Sequence, residues 1–175
     1  VPSMPEELIA LLRELDVAGK RAGGLLAAAG SLPSGTTDNV RITILGILLR
    51  ATGLPEQYSQ AKFCLWPHAQ GHYETVKSAI EAADKSFERE LNNLYVSGLI
   101  ARAVIDCDPE FASSEADAKQ LIKAQFPPQN SDITTQEFLR TVKDALELVS
   151  RDGQIPCTLI VLDEVQQYIG ESNDR

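Results

Sequence analysis

The sequence predicts a helix-rich α/β fold, in which one or two parallel strands carry a large α-helical insertion of about five or six helices. Three observations predict it. Thr158–Glu164, T-L-I-V-L-D-E, sets four consecutive apolar residues ahead of two adjacent carboxylates. A run this short, bounded by Gly153 and Pro156, suits a strand buried on both faces of a parallel sheet. Leu25–Ala29 is a second short apolar run, readable as a buried strand or as a helix because alanine is a poor strand former. Between the two runs, apolar residues recur at helical spacing through most of the chain.

In chain order, Ser3, Pro5 and Glu6 read as a capped helix start, and Leu8, Leu11, Leu12 and Leu15 place an amphipathic helix over residues 5–16. Gly19 and Gly23-Gly24 are expected to end it. Gly30–Thr37, G-S-L-P-S-G-T-T, is a loop, after which Thr37 or Asp38 caps a core helix over residues 40–51 that stops at Gly53 and Pro55. A helix over residues 56–66 is expected to stop at Pro67, and another spans residues 74–84 with Val76, Ala79, Ile80 and Ala83 on one face. Phe87, Leu91, Leu94 and Tyr95 continue the pattern. Val96, Leu99, Ile100, Ala103 and Val104 then keep the period to Asp106, and Pro109 closes that helix.

Ser114 and Asp117 open a helix carrying Leu121 and Ile122 that ends before Pro127-Pro128. Thr134 and Glu137 form a capping box ahead of the cleanest stripe, Phe138, Leu139, Val142, Ala145, Leu146 and Val149. The final strand, residues 157–163, is followed by a turn or helix from Glu164.

Composition narrows the function classes. With 16 Lys and Arg against 25 Asp and Glu the net charge is −9, which disfavours binding to a nucleic-acid backbone. The 3 cysteines, Cys64, Cys107 and Cys157, form no CxxC pair and no disulfide framework, so a reducing cytoplasm is the simplest compartment. No stretch approaches the roughly 18 uninterrupted apolar residues of a membrane span. The chain starts at Val1 without a signal-peptide pattern, and it reads as a piece of something longer.

Ligands gather at the carboxyl ends of parallel strands, where Asp163 and Glu164 fall. That is the pattern of a Walker B element: the first acid holds Mg²⁺ through water, and the second orients or deprotonates an attacking water. The bland alternative is a core strand ending in a solvated acidic turn. A nucleotide hydrolase also needs G-x4-G-K-[S/T], whose backbone N–H groups and lysine hold the phosphates. Gly30–Thr37 has the glycine spacing, but Thr36 occupies the lysine position, and a Pro/Gly turn entering the next helix accounts for it. Gly19-Lys20-Arg21 lacks the first glycine, since Glu14 stands there. Cys64, His68 and His72 follow at four-residue steps as metal ligands would, but Pro67 and Gly71 interrupt them and no fourth ligand is near. Phe63, Trp66, Tyr73, Phe87 and Tyr95 read as core or interface, because a base-stacking platform would want basic neighbours.

The stretch I-P-C-T-L-I-V-L-D-E-V-Q-Q-Y-I-G, Ile155–Gly170, resembles the Walker B segment of the large P-loop ATPases of bacterial BREX and Pgl phage-defence systems, the BrxC/PglY type. Ala28–Gly35, Leu45–Tyr58 and Glu90–Ser97 are also similar to that family, so the resemblance spans about Gly30 to Arg175. It implies a partial P-loop NTPase core within a large multidomain cytoplasmic ATPase that works with other phage-defence proteins. On that view residues 1–37 are partial core, residues 38–152 a helical insertion, and residues 153–175 the Walker B strand and its turn. Asp163 becomes the Mg²⁺-associated acid and Glu164 the catalytic, nucleotide-binding acid. The Walker A loop is expected before Val1, so ATP and Mg²⁺ belong to the parent protein and this chain alone binds neither tightly. Partners are then the rest of the ATPase and other defence proteins, with homo-oligomerisation open and no membrane.

Two readings stand beside this one. The helices could form a protein-interaction module without nucleotide chemistry. Alternatively, D-E-V-Q could be a helicase-type D-E-x-Q motif, against which the net charge and the absence of later helicase motifs both count.

Overall fold

Capping chemistry fixes four of the helix starts in the computed structural model, which describes residues 5–32, 40–128 and 133–165. Its elements in order are α1 (Glu6–Arg21), β1 (Leu25–Ser31), α2 (Val40–Ala51), α3 (Tyr58–Ala69), α4 (Tyr73–Ala82), α5 (Phe87–Asn92), α6 (Gly98–Cys107), α7 (Glu115–Gln125), α8 (Thr135–Leu148) and β2 (Cys157–Asp163). The fold is therefore a helix-rich α/β arrangement with a parallel sheet. The side chains of Ser86, Ser97, Ser114 and Thr134 each accept a backbone N–H from the first turn of the helix that follows. Thr134 and Glu137 complete the reciprocal capping box ahead of α8, and each such cap is worth about 1 kcal/mol.

The chain divides into two compact units, Val1–Leu54 with Ile133–Arg175, and Pro55–Asp132. The first holds the sheet. β1 and β2 run parallel, with Leu25 opposite Cys157 and Ser31 opposite Asp163. Parallel neighbours require a long crossover; here it contains every helix from α2 to α8. One face of the sheet is covered: Ala28 packs with Ile47 and Leu48 of α2, and Val142 and Leu146 of α8 join Leu162 against them. Gly30 permits that approach, since a Cβ there would lie 2.6 Å from Ile47 Cγ1 and Cδ1.

The other face is bare among the described residues, and this corrects the expectation of a strand buried on both faces. Leu159 and Val161, which point to that face, are 38% and 52% exposed. Four apolar residues in a row report what a strand can bury, not what covers it, and here helices cover only one side. The apolar stripe of α1 is likewise exposed at Leu8, Leu11 and Leu12. α1 also runs past its expected end: Gly19 lies inside it, where a Cβ would come within 2.9 Å of Leu25 Cβ, and the turn follows at Gly23 and Gly24, both at positive φ. Pro5 is its N-cap with no side-chain bond, and Ser3 lies outside the described residues.

The second unit is helical, α3 to α7, around buried Phe63, Cys64, Ile80, Ile100, Val104 and Ile122. Phe63 meets Phe126 edge-on at 5.7 Å, Trp66 lies 5.0 Å from Phe111, and the Tyr95 hydroxyl donates to the Phe126 carbonyl at 2.7 Å. The aromatics are core, with geometries that favour packing.

Two boundaries differ from the expectation. α3 passes through buried Pro67 to Ala69. In a last turn proline forfeits a single helical bond, and the chain instead turns at Gly71 (φ +74°), where the His72 N–H returns to the Pro67 carbonyl at 2.8 Å. Val96 is 69% exposed and outside α6, because Ser97 caps the helix one residue later.

Candidate functional site

Asp163 is the last residue of β2 and stands in register with Ser31, the last of β1. The Leu32 N–H donates to the Asp163 carbonyl at 3.1 Å and extends the ladder one step beyond the named strands. Both chains therefore leave the sheet side by side at its carboxyl end, the end at which ligands bind in parallel α/β folds. Glu164 turns the chain there with φ near +60°, a left-handed conformation that costs a residue with a Cβ about 1–2 kcal/mol. Its N–H donates to Asp163 Oδ1 at 2.8 Å, so the aspartate braces the turn that presents the glutamate. Both acids are exposed.

One Asp163 oxygen is engaged by this turn and the other is directed to no partner among the described residues. Mg²⁺ keeps several waters and takes only one or two protein carboxylates, so an exposed acid pair at a strand end suits a water-mediated Mg²⁺ contact. Among the described residues no group of three or more His, Cys, Asp or Glu side chains gathers as a full metal cage would require.

The loop that follows β1 is described only at its start. β1 leads directly into Gly30–Thr37, so the G-x4-G pattern begins beside Asp163, but residues 33–39, with the expected caps Thr37 and Asp38, lie outside the described residues. Gly30, the first glycine of that pattern, already has a packing reason to be glycine in the approach of Ile47. Arg50 is a feature the sequence did not advertise. From the last turn of α2 its Nη2 donates to the Ala29 carbonyl at 3.0 Å and lies 3.4 Å from a Cβ built at Gly30, placing a guanidinium near the strand end.

Other suspected positions separate. Cys64 is buried among apolar groups, which pushes its thiol up to about 12. His68 stacks on Tyr73 with ring centroids 3.7 Å apart, and burial lowers its pKa while Glu74 opposes the shift. His72 sits at the N-cap of α4. These three residues do not converge on a metal site. An open groove of about 400 Å³ lies at the opposite, amino end of the sheet, lined by Asp16, Lys20, Gly23, Gly24, Arg151 and Pro156 among others, away from the acid pair. Among the described residues no helix is long and apolar enough to cross a membrane.

No family model, curated protein or solved structure matches the chain.

Proposed function

We propose that this chain is part of an ATP-binding and ATP-hydrolysing P-loop ATPase of the phage-defence type described above, contributing the Walker B acids and a helical insertion. The observation that supports the reading is the place of Asp163 and Glu164 at the carboxyl end of a parallel strand, the end at which ligands bind in such sheets. In this reading Asp163 holds Mg²⁺ through water, and Glu164 orients or deprotonates the attacking water. Mg²⁺ supplies charge stabilisation on the phosphates. The chain lacks a Walker A loop, since Thr36 stands at the lysine position of Gly30–Thr37, so in this reading the loop and its lysine belong to the segment of the parent before Val1, and the chain alone binds nucleotide weakly.

The test is Glu164→Gln in the full ATPase containing this sequence. Hydrolysis should fall by about 100-fold or more while ATP binding is retained, and Asp163→Asn should weaken the Mg²⁺ dependence of binding. Undiminished hydrolysis in Glu164→Gln, or tight Mg-ATP binding and turnover by the isolated chain, would overturn the proposal.

A second reading rests on the Pro55–Asp132 unit, which has a core of its own. As a helical interaction module it would bind a protein partner irrespective of nucleotide, and Glu164→Gln would change nothing.

A further inference from the structure

The pleat of a strand sends alternate side chains to opposite faces of its sheet. Ala28 of β1 and Leu162 of β2 belong to the face that α2 and α8 cover. Counting on from them, Ser31 and Asp163 fall on the other face, in register with each other and both exposed. Neighbouring strands lie about 4.8 Å apart, so the hydroxyl and the carboxylate flank a gap on the order of 5 Å. They share no hydrogen bond: Asp163 Oδ1 accepts the Glu164 N–H, and the Ser31 hydroxyl has no partner among the described residues. Ser31 is also the first polar side chain of β1, L-L-A-A-A-G-S, and it comes at the position that faces the acid.

We propose that Ser31 is a positioning residue for the Mg²⁺ of the nucleotide site, its hydroxyl and the second oxygen of Asp163 accepting hydrogen bonds from the same metal-bound water. The proposal rests on the reading of Asp163 as the Mg²⁺-associated acid.

A water on Mg²⁺ turns its oxygen to the metal and both hydrogens outward, so its other neighbours must be acceptors. A carboxylate accepts only and a serine hydroxyl can accept, whereas a lysine or arginine at this position would only donate. With O–H···O bonds of about 2.7–2.8 Å to either side, one water fits the gap between Ser31 and Asp163. Mg²⁺ parts with its waters reluctantly and is held by few protein groups, so fixing a water fixes the ion. Asp163 alone gives that water one anchor. An acceptor on the adjacent strand supplies the second, and the Leu32 N–H bond to the Asp163 carbonyl, at 3.1 Å, ties the two backbones together at this level.

The test is nucleotide binding by the full ATPase containing this sequence, titrated with Mg²⁺ at fixed ATP and repeated in EDTA. Ser31→Ala should raise the Mg²⁺ concentration for half-maximal binding about 5- to 10-fold, the loss of one hydrogen bond, and leave binding of metal-free ATP unchanged. Ser31→Thr keeps the hydroxyl and should match the wild type. Asp163→Asn should also raise the Mg²⁺ requirement, and adding Ser31→Ala to it should change little more, because the two groups hold one water. An equal loss of binding with and without Mg²⁺ in Ser31→Ala would mark a structural role and overturn the inference, as would full additivity of the two substitutions. If Asp163→Asn raises the Mg²⁺ requirement and Ser31→Ala does not, the inference falls and the nucleotide reading stands. If Asp163→Asn leaves the requirement unchanged, the nucleotide reading falls and takes the inference with it.

Discussion

Ile47 lies so close over Gly30 that a methyl group at position 30 would meet its Cγ1 and Cδ1 at 2.6 Å. Ile47 is itself buried, at 3% exposure, and has little room to yield. This contact holds α2 against the last turnward residues of β1, just before the chain enters the Gly30–Thr37 loop. Gly30→Ala should destabilise the sheet-bearing unit by about 1–3 kcal/mol. Combined with Ile47→Ala, the two losses should fall short of additive by about 0.5–3 kcal/mol. Urea unfolding of the two single variants and the double variant measures the coupling; simple additivity would mean the contact is not tight.

Thr141 on α8 is 1% exposed, and its Oγ1 is buried without a hydrogen-bond partner among the described residues. A hydroxyl taken out of water and left unpaired costs free energy, and valine fills nearly the same space without it. Thr141→Val should raise stability by about 1 kcal/mol in chemical denaturation. A loss of stability would show that the hydroxyl is satisfied in solution.

Burial pushes the Cys64 thiol up to about 12, so it stays protonated and shielded at neutral and mildly alkaline pH. The thiolate is the reactive form. Alkylation at pH 8 should therefore spare Cys64 in the folded chain and modify it only after denaturation, while the half-buried Cys157 reacts sooner. Peptide mapping after timed labelling reads this directly, and early modification of Cys64 would contradict the packing of α3.

His68, stacked on Tyr73, has its pKa lowered by burial below the ordinary 6.5, with Glu74 opposing. The unfolded chain therefore takes up the proton first as pH falls. The stability contributed by the neutral ring is full above 6.5 and is lost as pH drops through that value toward the folded pKa. His68→Phe keeps a ring on Tyr73 and removes the titration, so its melting temperature should fall less than that of the wild type between pH 7 and pH 5. Equal pH dependence in the two proteins would place the titrating group elsewhere.

Much of this architecture was legible in the sequence because it is set by local chemistry. Ser114 and the Thr134–Glu137 box marked the starts of α7 and α8, the apolar period and Gly53 bounded α2, and the branched run after Pro156 marked β2. Pro67 misled because proline is a poor interior residue but a tolerable one in a last turn. Val96 misled because an apolar residue in phase with a helix need not belong to it when a serine cap follows. At the site, D-E after an apolar run was readable, whereas the Asp163 brace on the Glu164 N–H and the reach of Arg50 to Ala29 were not, since both depend on backbone direction.

The sequence alone determined most of the helices, the second strand and that two acids end it, because capping, periodicity and turn residues act over a few neighbours. Only the tertiary structure decided that Leu25–Ser31 is a strand, that it lies parallel beside β2 with Ser31 against Asp163, and that one sheet face is uncovered among the described residues. The alanines of β1 carry little strand propensity of their own; pairing with a branched strand more than a hundred residues away supplies what they lack. Pairing of that range has no local signature, because its free energy belongs to the two strands jointly.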